Sequence, residues 1–182
     1  MQIDNTRFGR IEVADRDVIR FPQGLYGLEQ AHSYCLVPHD ERGRFLWLQS
    51  VDVPAIAMVV TDPFLFFRSY EVEIPDSAVE LLQAASDSEL TLYTSITISP
   101  DHQHVYTNLL GPIVIHHGAS LGMQVVQDAS RYCTRHLIGS GVPASLRAGI
   151  QGEEVEDKEQ GPAEESFRLL TLNARTRERQ NA

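Results

Sequence analysis

The chain has 182 residues, a formal net charge of −10 and 42 % hydrophobic residues. This length and apolar content predict one domain with a substantial core and room for an appendage. The acidic balance disfavours direct binding to a nucleic-acid backbone; it suits a basic protein partner, and it also serves simple solubility, which is the commoner reason for such a charge.

Short strands separated by polar turns account for the first part of the chain. Strands are predicted over residues 6–13, 18–21, 33–37, 45–50 and 55–60, with a glycine-rich turn over 21–28 and a polar hairpin loop over 39–44. Tyr26 stands between two glycines of that turn, either exposed at the loop tip or packed on the end of the domain. Trp47, the only tryptophan, is better explained as a core residue than as a binding residue.

Residues 59–74 (VVTDPFLFFRSYEVEI) carry four bulky apolar residues directly after a turn at Asp62 and Pro63, and this turn sets the direction of the chain. Read as a strand, residues 64–67 (FLFF) place Phe64 and Phe66 on one face and the other two on the opposite face. Either both faces are buried, which we favour, or one face is a docking surface for another molecule. An alternating strand over 70–74 follows.

The second part of the chain contains one helix followed by further strands. A helix is predicted over 77–85, with Ser77 and Glu80 at the spacing of a capping box. Strands are predicted over 90–98, 105–110, 112–116 and 123–127, and the middle two form either a strand pair or one strand bent at Gly111. We therefore expect an all-β, mainly antiparallel domain, a barrel or a sandwich, with one short helix.

The composition changes at residue 139, so we divide the chain into a β-domain over 1–138 and a flexible acidic and Arg-rich extension over 139–182. Residues 153–165 are acidic and almost without apolar side chains, a composition typical of disorder. Residues 166–179 carry leucines and then arginines. We interpret them as a mobile tail, with a short helix that forms on binding as the alternative.

The sequence lacks the motifs that most directly indicate nucleotide, redox or zinc chemistry. There is no P-loop, no C-x-x-C and no H-E-x-x-H. We therefore predict no enzyme, no cofactor and no metal site; the alternative, a hydrolase that uses Asp62, Glu71 and His104, is not favoured by their spacing. With no apolar run of transmembrane length, a polar N-terminus and two distant cysteines, we expect a cytoplasmic protein that does not bind membranes.

Four motifs in a fixed order carry a resemblance to a known family. They are FPQGLYGLE (residues 21–29), FLWLQSVDVPAIAMVV (45–60), DPFLFFRSYEVEI (62–74) and TNLLGPIVI (107–115) followed by GMQVV (122–126). The sequence thereby resembles the FliW family of flagellar assembly factors over roughly residues 3–137. One departure is Leu28, where the family typically has phenylalanine before the glutamate.

The resemblance implies a cytoplasmic, β-barrel-like, non-enzymatic protein that binds flagellin before export and also binds the translational regulator CsrA, with the two partners exchanging. The implied apolar groove for a flagellin helix has Phe64, Phe66, Phe67 and Tyr70 as candidates, with Tyr26 and Trp47 as second-rank candidates. The candidates for acidic contacts to CsrA are Asp40, Glu41, Asp87 and Glu89. We expect a monomer; the alternative function is a self-associating or other protein-interaction β-domain without a flagellar role.

Overall fold

The computed structural model describes residues 1–39, 43–140 and 167–170. The strands are β1 (Gln2–Thr6), β2 (Gly9–Glu12), β3 (Ile19–Arg20), β4 (Ser33–Pro38), β5 (Phe45–Ser50), β6 (Ala57–Thr61), β7 (Val72–Pro75), β8 (Leu90–Ile98), β9 (His104–Thr107), β10 (Ile113–His116), β11 (Leu121–Gln124), β12 (His136–Ser140) and β13 (Phe167–Leu170). The helices are α1 (Asp76–Leu81) and the 3-10 turns Asp15–Asp17, Pro63–Leu65 and Asp87–Glu89.

A closed ring of strands forms the centre of the fold. Its order is β10, β11, β3, β4, β5, β6 and β8, and β8 pairs back to β10. All of these pairs are antiparallel except β11 with β3, which are parallel. The prediction of an all-β, mainly antiparallel, barrel-like domain with one short α-helix is confirmed in the described part of the chain.

Strands β9 and β10 lie one after the other along β8. The first half of β8 pairs with β10 and its second half with β9. Residues 108–112 interrupt the pairing between them, which confirms the bent-strand alternative for this region. Strand β12 then pairs with the far side of β9 and extends the sheet beyond the ring.

Apolar side chains fill the ring and also cover one of its outer sides. Strand β10 shows both layers, because Ile113 and Ile115 belong to the interior cluster while Val114 belongs to the outer one. The outer cluster is covered by four fully buried residues of β7, α1 and the residue after it: Val72, Ile74, Ala78 and Leu82. This part of the wall is therefore buried on both faces, which holds β7 and α1 against the barrel.

Two local predictions for the N-terminal half of the domain are wrong. The single strand over 6–13 is a hairpin, β1 with β2, and it turns before Gly9, whose φ of +76° suits a residue without a side chain. The capping box is not at Ser77. Helix α1 already begins at Asp76 after Pro75, so Ser77 lies inside the first turn, and the capping box is formed by Ser86 and Glu89.

The strands after residue 120 differ from the sequence prediction. The last predicted strand, 123–127, is shifted to Leu121–Gln124, and β12 was not predicted. Phe167–Leu170 form a strand paired with β7. The alternative of a helix that forms on binding a partner stays a prediction. Residues 141–166 and 171–182, which carry the rest of the predicted extension, lie outside the described residues.

Candidate protein-binding surfaces

Residues 64–67 (FLFF), which we call the aromatic stretch, lie in and directly after a turn rather than in a strand. Pro63–Leu65 form a 3-10 turn, and the Asp62 carboxylate accepts a hydrogen bond from the backbone N–H of Phe64 at 3.0 Å. Pro63 stands at the first turn, where its missing N–H costs nothing. The alternation predicted for residues 64–67 is therefore wrong, because a tight turn sends successive side chains in more than two directions.

The three phenylalanines of this stretch are half-buried: Phe64 and Phe67 pack on the outer cluster, and Phe66 packs on a separate cluster that contains Phe45. Phe66 stacks on Phe45, with ring centroids 6.3 Å apart. Phe64 lies 6.2 Å from Tyr70, and Phe67 lies 5.9 Å from the ring of His136, centroid to centroid. These contacts make all three phenylalanines partly structural, and each keeps only part of its surface accessible.

Leu65 is the most exposed apolar residue of the stretch, with 51 % of its surface accessible. Leu65 is not among the predicted contact residues, because the strand interpretation of residues 64–67 with both faces covered buries it. The sequence signal for the exposure of Leu65 is the Asp62-Pro63 pair, which begins a turn. Leu65 is the second residue after the proline and lies on the exposed side of this turn.

Two predicted contact residues, Trp47 and Tyr70, are buried. Trp47 is 2 % exposed. The guanidinium carbon of Arg7 lies 4.3 Å from the centroid of the Trp47 ring, and the indole N–H of Trp47 donates to Nδ1 of His39 at 2.8 Å. Tyr70 is 4 % exposed, and its hydroxyl donates to the carbonyl of Leu109 at 2.6 Å. Burial raises the pKa of the Tyr70 hydroxyl far above its usual range. Neither side chain reaches the surface in this conformation.

Tyr26 stands at the tip of its loop with 65 % of its surface exposed, so the first of its two alternatives holds. Hydrogen bonds to Gln124 hold the loop in place. The backbone N–H of Tyr26 donates to Oε1 of Gln124 at 3.1 Å, and Nε2 of Gln124 donates to the carbonyl of Gly111 at 2.9 Å. Gly24, with φ +70°, lets the chain pass Glu29, since a Cβ there would lie 2.8 Å from its Cα. An exposed aromatic ring on a fixed loop loses little entropy when a partner binds it.

The acidic candidates fall into two groups. Asp87 and Glu89 are exposed in one capped turn, where the Glu89 carboxylate accepts from the backbone N–H groups of Ala85 and Ser86 at 2.7 and 3.2 Å. These hydrogen bonds lower the pKa of Glu89, which keeps it charged at neutral pH. Asp40 and Glu41 lie outside the described residues.

The residues of the hydrolase alternative each have a separate structural role. Asp62 caps the 3-10 turn, Glu71 pairs with Arg131, and the ring of His104 lies beside that of Tyr106. Over residues 1–39, 43–140 and 167–170, no group of three or more His, Cys, Asp or Glu side chains converges on a point where a metal ion would fit. The same residues include no helix that is long and apolar enough to cross a membrane.

Strand β7 is attached to the barrel by side chains rather than by a neighbouring strand of the ring. The amide of Gln127 accepts from the backbone N–H of Glu73 at 2.7 Å and donates to the carbonyl of the same residue at 3.0 Å. The hydroxyl of Tyr132 accepts from the backbone N–H of Glu71 at 3.2 Å. This clamp fixes the strand that follows the aromatic stretch.

We expect Gln127→Ala to lower the free energy of unfolding by about 1–3 kcal/mol, because it leaves two backbone groups of Glu73 without partners. Equilibrium denaturation measures the loss. Gln103→Ala is the matched control, since the side chain of Gln103 is exposed and makes one hydrogen bond of 3.4 Å within its own turn. Equal stability of the two variants would show that water replaces the clamp at no cost.

The fold and these surfaces together define a class: a small, mainly antiparallel β-barrel that carries exposed apolar and acidic side chains on structured turns. A family model described as FliW protein matches residues 2–138. The chain belongs to the FliW family, whose curated relatives are named flagellar assembly factors.

Two curated relatives and one solved structure show how far the similarity extends. The flagellar assembly factor FliW of Moorella thermoacetica is 36 % identical over 139 residues, which are 76 % of this chain and 88 % of that protein. The one of Syntrophomonas wolfei is 34 % identical over 154 residues, 85 % of this chain and 99 % of that protein. A crystal structure of the flagellar assembly factor FliW matches with a TM-score of 0.69 and 32 % identity, covering 76 % of this chain and 96 % of that one.

Proposed function

We propose that this protein binds flagellin in the cytoplasm before export and binds the translational regulator CsrA when flagellin is scarce, so that export of flagellin frees the protein to antagonise CsrA. The observation that carries the proposal is the match over residues 2–138 to a family whose relatives are named flagellar assembly factors. The mechanism is an exchange of partners and needs no catalytic group.

The apolar side chains on two fixed turns support the flagellin part of the proposal. A helical segment binds through apolar residues on one face, and it needs apolar side chains held in place to receive them. Leu65 and Tyr26 are exposed, and the half-buried Phe64, Phe66 and Phe67 are close to Leu65 in the sequence. Each exposed residue sits on a turn whose backbone is tied by side-chain hydrogen bonds, to Asp62 and to Gln124 respectively.

The charge of the chain supports the CsrA part. A net charge of −10 complements a basic RNA-binding protein, and such complementarity mainly speeds encounter and orients the partners. Asp87 and Glu89 hold two carboxylates on one ordered turn, so they need little further ordering when a basic side chain approaches. Asp40 and Glu41 remain candidates on sequence alone.

A competition titration tests the proposal. The full chain is titrated with flagellin and with CsrA from the same organism, separately and then together. We expect each to bind and added flagellin to release CsrA. If each binds but both remain bound together, partner exchange is wrong although both interactions exist. If neither binds, the family has preserved the fold without these partners.

A further inference from the structure

Strand β7 has two edges, and they are satisfied in different ways. In a strand, the N–H and C=O of one residue point to one edge, and those of the next residue point to the opposite edge. The backbone groups of Glu73 are bound by Gln127, and the N–H of Glu71 by Tyr132. The groups of Val72 and Ile74 must therefore point to the other edge, which we call the outer edge of β7.

The outer edge of β7 is already arranged to receive a strand. The side chains of Val72 and Ile74 are fully buried in the outer core cluster, so the strand cannot rotate to satisfy its free groups elsewhere. No strand of the barrel pairs with this edge within residues 1–39 and 43–140. An edge of this kind is a template for an extended segment.

The segment that pairs with β7 comes from the C-terminal part of the same chain. Strand β13 runs antiparallel to it, with Arg168 opposite Ile74 and Leu170 opposite Val72. These are the two positions of β7 whose backbone groups face outward, so the register places the hydrogen-bonded pairs where the free groups are. Phe167–Leu170 also lie beyond residues 2–138, the part that the family model matches.

We propose that the outer edge of β7 is a strand-docking site and that residues 167–170 of this chain occupy it. The site is an edge of the family domain, its occupant lies outside that domain, and the proposal does not rest on the proposed partners. Any protein that binds by adding a strand to β7 must first displace this segment. Since the segment is tethered to the domain, it has the advantage of a high effective concentration over a free competitor.

Two proline variants of the full chain separate docking from general disturbance. Leu170→Pro removes an N–H that faces β7, whereas the N–H of residue 169 faces away, so Leu169→Pro keeps the ladder donors. In hydrogen exchange followed by NMR, we expect Leu170→Pro to accelerate exchange at Val72 and Ile74 by about tenfold or more and Leu169→Pro to do so less. The N–H of Glu73, which binds Gln127, serves as the internal reference and stays unchanged in both.

Backbone relaxation of the segment gives a second, independent readout. In the unmodified chain, we expect the amides of Arg168 and Leu170 to be as ordered as those of the barrel, and Leu170→Pro to release Arg168. Fast motion of Arg168 and Leu170 in the unmodified chain would overturn the proposal. If the order of these residues or the protection of Val72 rises with protein concentration, the occupant is the segment of a second copy, and docking within one chain is wrong.

Discussion

The variant Gly122→Ala is expected to lose about 3 kcal/mol of unfolding free energy, at the upper end of what overpacking a core costs. Gly122 lies in β11, directly over the ring of Phe21. A Cβ at this position would lie 2.3 Å from Cζ of Phe21 and 2.6 and 2.7 Å from its two Cε atoms. Phe21 is fully buried and packs edge-to-face on Tyr34 at 5.1 Å, so its ring has no free space to enter.

Gly139→Ala is the matched control for this effect. Gly139 also lies in a strand, β12, but a Cβ there meets nothing within 4 Å, so we expect a change within about 0.5 kcal/mol. Denaturant midpoints measured under identical conditions give both values. The double variant Phe21→Leu with Gly122→Ala should lose less unfolding free energy than the sum of the two single variants, because the smaller leucine makes room for the added methyl group. Additive losses would contradict the proposed clash.

The strands that could be predicted from the sequence are those with a complete local pattern. Strands β5 and β8 were predicted with their observed bounds, since each combines strict alternation or a dense apolar run with turn residues at both ends. The bent strand formed by β9 and β10 was also among the predicted alternatives, because Gly111 interrupts the alternation.

Strands whose existence depends on a distant partner could not be predicted. Strand β12 is short and mixed in character, and its place is decided by β9, about 30 residues earlier in the chain. Strand β13 depends in the same way on β7. The side-chain clamp of Gln127 on Glu73 joins residues 54 positions apart, and neither residue carries a local signal for it.

The sequence predicts the location of the candidate apolar surface but not which of its side chains are exposed, and the turn at Asp62 and Pro63 is the reason. From the sequence, residues 64–67 are expected to be either core or a docking surface, and the structure shows them partly buried with Leu65 exposed. Treating them as a strand, however, ignored the turn that Asp62 and Pro63 impose, and this turn exposes Leu65 while it half-buries the phenylalanines. For Tyr26, the flanking glycines indicated a turn, and the structure settled its exposure.

Phe66→Asp is expected to destabilise the domain by about 3 kcal/mol, because it removes a ring stacked on Phe45 and places a carboxylate beside an apolar cluster. Its neighbour allows a matched comparison. Leu65 is exposed, so Leu65→Asp should change stability by no more than about 0.5 kcal/mol. Denaturation of the two variants, which introduce the same charge one residue apart, separates core from surface within one turn.

The same pair of variants tests whether this turn contacts flagellin. If Leu65 contacts flagellin, Leu65→Asp should weaken flagellin binding about tenfold or more while the domain stays folded, because a charge would then replace an apolar contact at the interface. Phe66→Asp, in contrast, should lose binding only in proportion to its loss of folded protein. Unchanged flagellin affinity in folded Leu65→Asp would remove this turn from the proposed interface and leave the fixed loop around Tyr26 as the surface to test, with Tyr26→Asp as the corresponding variant.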